Sequence, residues 1–159
     1  MSRKKKENEI DTAKDTAFRF LSYRSRSVLE VKRKLQEKEF SPHTITATLS
    51  RLMELGYLND QEYAVTVARS SIENKQWGPI RIHDALLKKG IAKDIIDNTL
   101  EELTKNYDLI RVARLAFDSK FSLTPEQLAE EKTRRKVMGY LKRKGFSWNT
   151  ILAVIRSVD

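Results

Sequence analysis

Apolar residues along this chain return at helical spacing. When Leu35, Leu86 and Leu141, which lie 51 and 55 residues apart, are placed in register, the same pattern appears three times. Four residues before them stand Val31, Ile82 and Val137, and five after stand Phe40, Ile91 and Phe146. Ten after come Ile45, Ile96 and Ile151; fourteen after, Leu49, Leu100 and Ile155; seventeen after, Leu52, Leu103 and Val158. With 40% of the chain hydrophobic, chance fills a few such columns, but not all eighteen positions. The first two columns share one face of a helix, the last three share a face of the next helix, and the column between them marks the turn.

The punctuation between these stretches belongs to helices. Ser27 and Glu30 have capping-box spacing, in which side chain and backbone satisfy each other's orphan N–H groups. Ser41-Pro42 and Thr124-Pro125 set a cap before a proline that costs the first turn nothing. Gly56 suits a left-handed helix end, and Asn59-Asp60 starts the following helix. The spacing predicts nine helices, near 8–23, 28–38, 42–55, 60–75, 79–89, 93–105, 108–118, 125–144 and 148–157.

Three tandem three-helix units follow, over residues 1–58, 59–106 and 107–159, the first with a basic N-terminal tail. Each is too small to bury its apolar face alone, so the units should stack into an elongated all-α molecule. Each also contains a helix-turn-helix pair, a shape found in many DNA-binding modules and weak evidence of function by itself.

Composition narrows the functional classes. The chain of 159 residues contains no cysteine, which removes disulfide staples, zinc ribbons and thiol catalysis and points to the cytoplasm. Its purest apolar run, Ile151 to Ile155, is far short of the roughly 20 residues a membrane span needs. The basic run Arg3 to Lys6 leads into Glu7 and Glu9, unlike the apolar core of a signal peptide. No coiled-coil heptad demands a dimer, and a monomer is expected. The net charge of +9 favours an anionic partner.

That charge sits at the ends. Residues 1–58 carry 13 basic and 8 acidic residues, 59–106 carry 7 and 8, and 107–159 carry 11 and 6. The candidate contacts for nucleic acid or an acidic filament are Arg24, Arg26, Lys32, Arg33 and Lys34 in the first unit, with Lys38 nearby. In the third they are Lys132, Arg134, Arg135, Lys136, Lys142, Arg143 and Lys144. Trp148 joins them: its register equivalents are Pro42 and Lys93, so the position is not bound to be apolar. Trp77, before Gly78-Pro79, is expected to pin an interhelix loop.

No catalytic or cofactor site emerges. His43 and His83 stand outside any ligand-spaced cluster, and Glu101-Glu102 and Glu130-Glu131 are neighbours that point in different directions on a helix. Five isolated glycines build neither GxxxxGK nor GxGxxG, so no phosphate cradle, metal or cofactor is expected.

The segment Ala17 to Ser27, continuing through Glu30-Val31 and Lys34-Leu35, resembles the opening motif of the RecX proteins, regulators of the RecA recombinase. The resemblance continues through Leu52 to Asp60, Tyr63-Ala64, Gly78 to Ile82 and Leu86 to Ile91, and more loosely through Leu141 to Phe146. One departure is Glu39, where the family's first unit commonly has the glycine that Gly90 and Gly145 supply later, and it bears on the local turn geometry.

The resemblance implies a slightly curved, elongated stack of three-helix repeats that binds the RecA-DNA filament along its groove and usually inhibits ATP hydrolysis, strand exchange and repressor cleavage. It implies a role in DNA repair, recombination and the SOS response, and supplies no catalytic residues. Weak, nonspecific contact with single- or double-stranded DNA is expected. The alternative is a free-standing helix-turn-helix DNA-binding protein. Against it, the third helices offer Thr44, Thr46, Thr48, Asp94 and Asp97 rather than the Arg, Asn or Gln that read base edges.

Overall fold

A computed structural model of the chain describes residues 3–158, with side chains from residue 7. Among the described residues there are ten helices and no strand. The first unit holds α1 (Arg3–Tyr23), α2 (Val28–Glu37) and α3 (Pro42–Glu54). The second holds α4 (Asp60–Lys75), α5 (Pro79–Lys88) and α6 (Lys93–Asn106). The third holds α7 (Leu109–Lys120), the short α8 (Pro125–Ala129), α9 (Glu131–Lys144) and α10 (Trp148–Arg156). The capping box forms at Ser27 with Glu30, Ser41 caps α3 ahead of Pro42, and the Thr124 cap proves to be a second capping box, with Gln127. Gly56 takes the left-handed conformation at φ +77.

Two boundaries depart from the sequence reading. α1 begins at Arg3 rather than near residue 8, because Arg, Lys and Glu are all good helix formers and nothing in the run interrupts them. The expected 125–144 helix is two helices, broken at Glu130, whose ψ of 124 is extended. Leu128 and Val137 are both fully buried. Nine residues apart at 100° per residue, they would face opposite ways on one continuous helix. The break turns both into the core.

All eighteen register positions pack as the pattern demands, and only Phe40, Leu100 and Val158 are not fully buried. The turn after each unit's middle helix also repeats. Phe40, Ile91 and Phe146 donate their backbone N–H to Leu35, Leu86 and Leu141 at 3.3, 3.2 and 3.3 Å, closing a Schellman turn. The residue before each has positive φ: Glu39 at 60, Gly90 at 75 and Gly145 at 93. Glu39 therefore makes the same turn as its glycine equivalents. It can do so because its side chain is exposed, whereas a Cβ at Gly90 would lie 2.5 Å from Leu29 Cδ2 in the neighbouring unit.

The units join in series. Ser27, at the start of α2, donates its hydroxyl to the Lys89 carbonyl at 2.7 Å, and Val28 N–H donates to Asp60 at 2.9 Å. One unit further on, Gly78 and Ile80 donate backbone N–H to the carbonyls of Lys144 and Gly145 at 2.7 and 3.0 Å. Trp77 stands at this second junction with Lys75 and Arg81 against its ring, 4.6 and 4.1 Å from the centroid. The first unit keeps its own apolar core, while the second and third share a continuous one.

Candidate nucleic-acid interface

On α2 the buried Val31 and Leu35 decide where each cation points. Lys32 and Arg33 turn away from them and are exposed, whereas Lys34 and Lys38 come round to the edge beside α1. There α1 presents Thr12, Thr16, Arg19 and Tyr23, spaced four, three and four residues apart and so on one face. Between the helices lies a cleft of about 700 Å³ lined by Arg19, Arg26, Lys34 and Lys38 and by no carboxylate. The Lys32-Arg33-Lys34 run is thus divided, and Arg19, absent from the sequence candidates, joins Lys34 across the cleft.

Arg26 and Arg24 have different duties. The Arg26 guanidinium lies 4.0 Å from the centroid of the Phe20 ring, and its side chain is only 15% exposed. Its nearest approach to a carboxylate is 3.9 Å, to Glu30, and its buried Nε has no hydrogen-bond partner among the described residues. Arg24 is committed to structure, donating to Glu30 at 2.7 Å and to the Ser25 carbonyl at 2.9 Å. Glu30 also accepts from the Ser27 N–H and from Lys89, at 3.0 Å each. Burial pushes the Glu30 carboxyl up, but these three donors outweigh it and hold the group at about 2. Lys34 pairs with Glu37 at 3.3 Å, while Arg19 and Lys38 take no ion-pair partner among the described residues.

In the third unit α9 buries Val137 and Leu141. Lys132, Lys136 and Arg143 fall on the opposite, exposed side, flanked by Arg135 and Lys142, while Arg134 is exposed nearer the buried face. Arg135 pairs with Glu131 one turn back. Lys144 turns away from this face and donates to the Lys75 carbonyl at 2.7 Å, which commits it to the second junction. The basic residues in α9's last turn sit where the helix dipole favours cations. Trp148 opens α10 and is 55% exposed. Among all these candidates only two pairs, Arg26 with Lys132 and Lys38 with Lys144, share a register position, and in each pair one member is held against the structure while the other is exposed, so the basic surfaces at the two ends are built differently.

The third helices are poor base readers for a structural reason as well as a compositional one. Thr44, Thr48 and Thr99 are buried, so the hydroxyls that could have faced a groove are inside the units. Among the described residues no group of His, Asp and Glu is arranged to hold a metal ion, and no helix is long and apolar enough to cross a membrane.

Comparison with known proteins follows the same division into three. The chain matches the family models described as RecX first, second and third three-helix domains over residues 13–52, 59–100 and 107–155. It is 33% identical over 150 residues to the regulatory protein RecX of Pelodictyon phaeoclathratiforme, covering 94% of this chain and 91% of that one. To the regulatory protein RecX of Trichlorobacter lovleyi it is 30% identical over 130 residues, covering 82% and 84%. The crystal structure of RecX from Lactobacillus salivarius matches the fold with a TM-score of 0.80 at 25% identity, over 96% of this chain and 98% of that one. With three consecutive domains in family order, and relatives matched over most of their length, this chain belongs to the RecX family of regulatory proteins.

Proposed function

We propose that this protein binds the RecA-DNA filament and inhibits the recombinase, and that it does so by occupying the filament rather than by catalysis. The supporting observation is the placement of its uncommitted cations. Arg19, Lys32, Arg33 and Lys38 lie at one end of a serial stack and Lys132, Lys136, Lys142 and Arg143 at the other, with a near-neutral unit between. Two such grips joined by hydrogen-bonded units can reach separate places along a filament, and the second contact gains from effective concentration. A molecule spanning neighbouring protomers in this way holds their spacing and resists the motion that ATP turnover requires. The family assignment supports a regulatory role, and the anionic filament supplies the complementary charge.

The test is DNA-dependent ATP hydrolysis by the cognate recombinase on preformed single-strand filaments, titrated from far below to near the filament concentration. Inhibition well below one molecule per recombinase supports capping or long-range destabilisation, and inhibition only near saturation supports occupancy of the groove. No effect, with tight binding to bare DNA at the same salt, overturns the proposal in favour of a free-standing DNA-binding protein.

A further inference from the structure

The α1–α2 cleft contains an arginine whose state calls for a ligand. Arg26 is largely buried, with its guanidinium carbon 4.0 Å from the centroid of the Phe20 ring, yet its buried Nε has no hydrogen-bond partner among the described residues and its approach to Glu30 is no closer than 3.9 Å. Glu30, the one carboxylate near it, is filled by Arg24, Ser27 and Lys89. A guanidinium offers five donors in a fixed fork, and a buried polar group left unmatched is rare enough to demand an explanation. The acceptor it lacks is an anion, and the same space is lined by Arg19 and Lys38, which have no ion-pair partner among the described residues, and by Lys34, whose partner Glu37 lies outside the cleft lining.

Phosphate and carboxylate both fit a guanidinium fork. The aromatic residue at the rim decides between them. Tyr23 is 78% exposed at the end of α1, shares the cleft lining with the four cations, and packs against no aromatic ring among the described residues. Spread cations beside an uncovered ring face are what a single strand needs, with phosphates on the charges and a base on the ring. The volume of about 700 Å³ is that of an ordinary ligand pocket and admits a short stretch of strand.

We infer that the cleft between α1 and α2 is a binding site for single-stranded nucleic acid, with Arg26, Arg19, Lys34 and Lys38 on the phosphates and Tyr23 stacked on a base. This refines the filament reading by naming what the first unit meets, and it is testable with no recombinase present.

The experiment is fluorescence anisotropy of a labelled short oligothymidylate titrated with the full chain, in parallel with the matching duplex and with polyglutamate. Tyr23→Ser, at an exposed position that leaves the fold intact, should raise Kd for the oligothymidylate about tenfold, while Tyr23→Phe retains binding. Arg19→Ala combined with Lys38→Ala should lower the slope of log K against log salt by about 1.4, the value for two single-strand phosphate contacts. Arg26→Gln should weaken binding with an unchanged Tm. The site is overturned if Tyr23→Ser and the double variant bind oligothymidylate as the parent does. It is equally overturned if they lose polyglutamate alone, which would make the cleft a receptor for acidic peptide, or lose the duplex and the single strand to the same extent. Should ATP hydrolysis by the recombinase prove insensitive while oligothymidylate binding still depends on Tyr23, the filament reading fails and the cleft assignment stands.

Discussion

Ser27 donates its hydroxyl to the carbonyl of Lys89, a bond of 2.7 Å between the first residue before one unit's middle helix and the last turn of the next unit's middle helix. Gly78 repeats the relationship with Lys144, 51 and 55 residues further on, using its backbone N–H instead of a side chain. The stack is therefore built from one junction used twice with different chemistry. Ser27 serves its junction and its own helix together, because the same oxygen accepts from the Glu30 N–H at 3.2 Å.

Ser27→Ala should accordingly cost more than an ordinary cap. Removing the hydroxyl uncaps α2, which costs about 1 kcal/mol, and takes from the Lys89 carbonyl the donor that the fully buried Ser27 supplies, which costs about 1–3 kcal/mol more. Urea unfolding should show a loss of about 2–4 kcal/mol. A loss under about 1 kcal/mol would mean that the junction bond contributes nothing beyond the cap.

The three equivalent turns predict opposite signs for exchanges at one register position. Gly145→Ala places a Cβ 2.4 Å from the Arg81 backbone nitrogen in a residue already at φ +93, so the second and third units must separate locally. The expected loss is on the order of 3 kcal/mol. Glu39→Gly relieves a left-handed strain of about 1–2 kcal/mol and adds about 0.5–1 kcal/mol of unfolded-chain entropy, so it should stabilise slightly. Thermal melts of both variants, compared with the parent, check the pair of signs.

Acid should loosen the first junction before the second. The folded Glu30 carboxyl titrates at about 2, below its ordinary value of 4.5, so the stability it contributes is complete above pH 4.5 and lost as pH falls from there toward 2. Asp60 at the same junction acts in the opposite sense, since burial raises its carboxyl despite the bond from Val28 N–H. It offsets part of the effect. The Gly78–Lys144 junction uses backbone groups that do not titrate. Hydrogen exchange between pH 5 and 3 should show α2 losing protection before α5, and Glu30→Gln should flatten that dependence.

How much of this was legible in the sequence varies with the range of the interaction. The triple register located the buried faces of each unit's last two helices and the turn between them, because burial on one helix face leaves a periodic trace at Val31, Leu35, Ile45 and their equivalents. The break at Glu130 left no such local mark. It is imposed by the need to bury Leu128 and Val137 together, a requirement that exists only once α9 is seated on its neighbours. At the candidate site, the cations on α2 and α9 were visible as clusters, but which of them are spent on structure was not. Arg24 and Lys144 are held by residues 6 and 69 positions away. Arg19 was missed because the basic clusters drew the reading to the middle helices, although its spacing from Thr12, Thr16 and Tyr23 marks a polar face of α1 that could have been read.

That division between spent and free cations yields the sharpest functional prediction. Lys132→Glu, Lys136→Glu and Arg143→Glu reverse charges on the exposed side of α9, opposite Val137, so the fold and the second junction should survive them. Filament binding should fall by at least about tenfold, with a shallower salt dependence, because each cation lost from a phosphate contact removes released counterions. Lys144→Met removes a charge of the same cluster, but its cost should register as lower stability through the lost bond to Lys75, with little change in salt dependence. Sedimentation with preformed filaments across a salt series, paired with urea unfolding of each variant, separates the two behaviours. If Lys144→Met altered the salt slope as strongly as the α9 reversals, the assignment of Lys144 to structure would be wrong. If the reversals changed neither affinity nor slope, the third unit would have to meet the filament through another face, and the exposed Trp148 would become the residue to test.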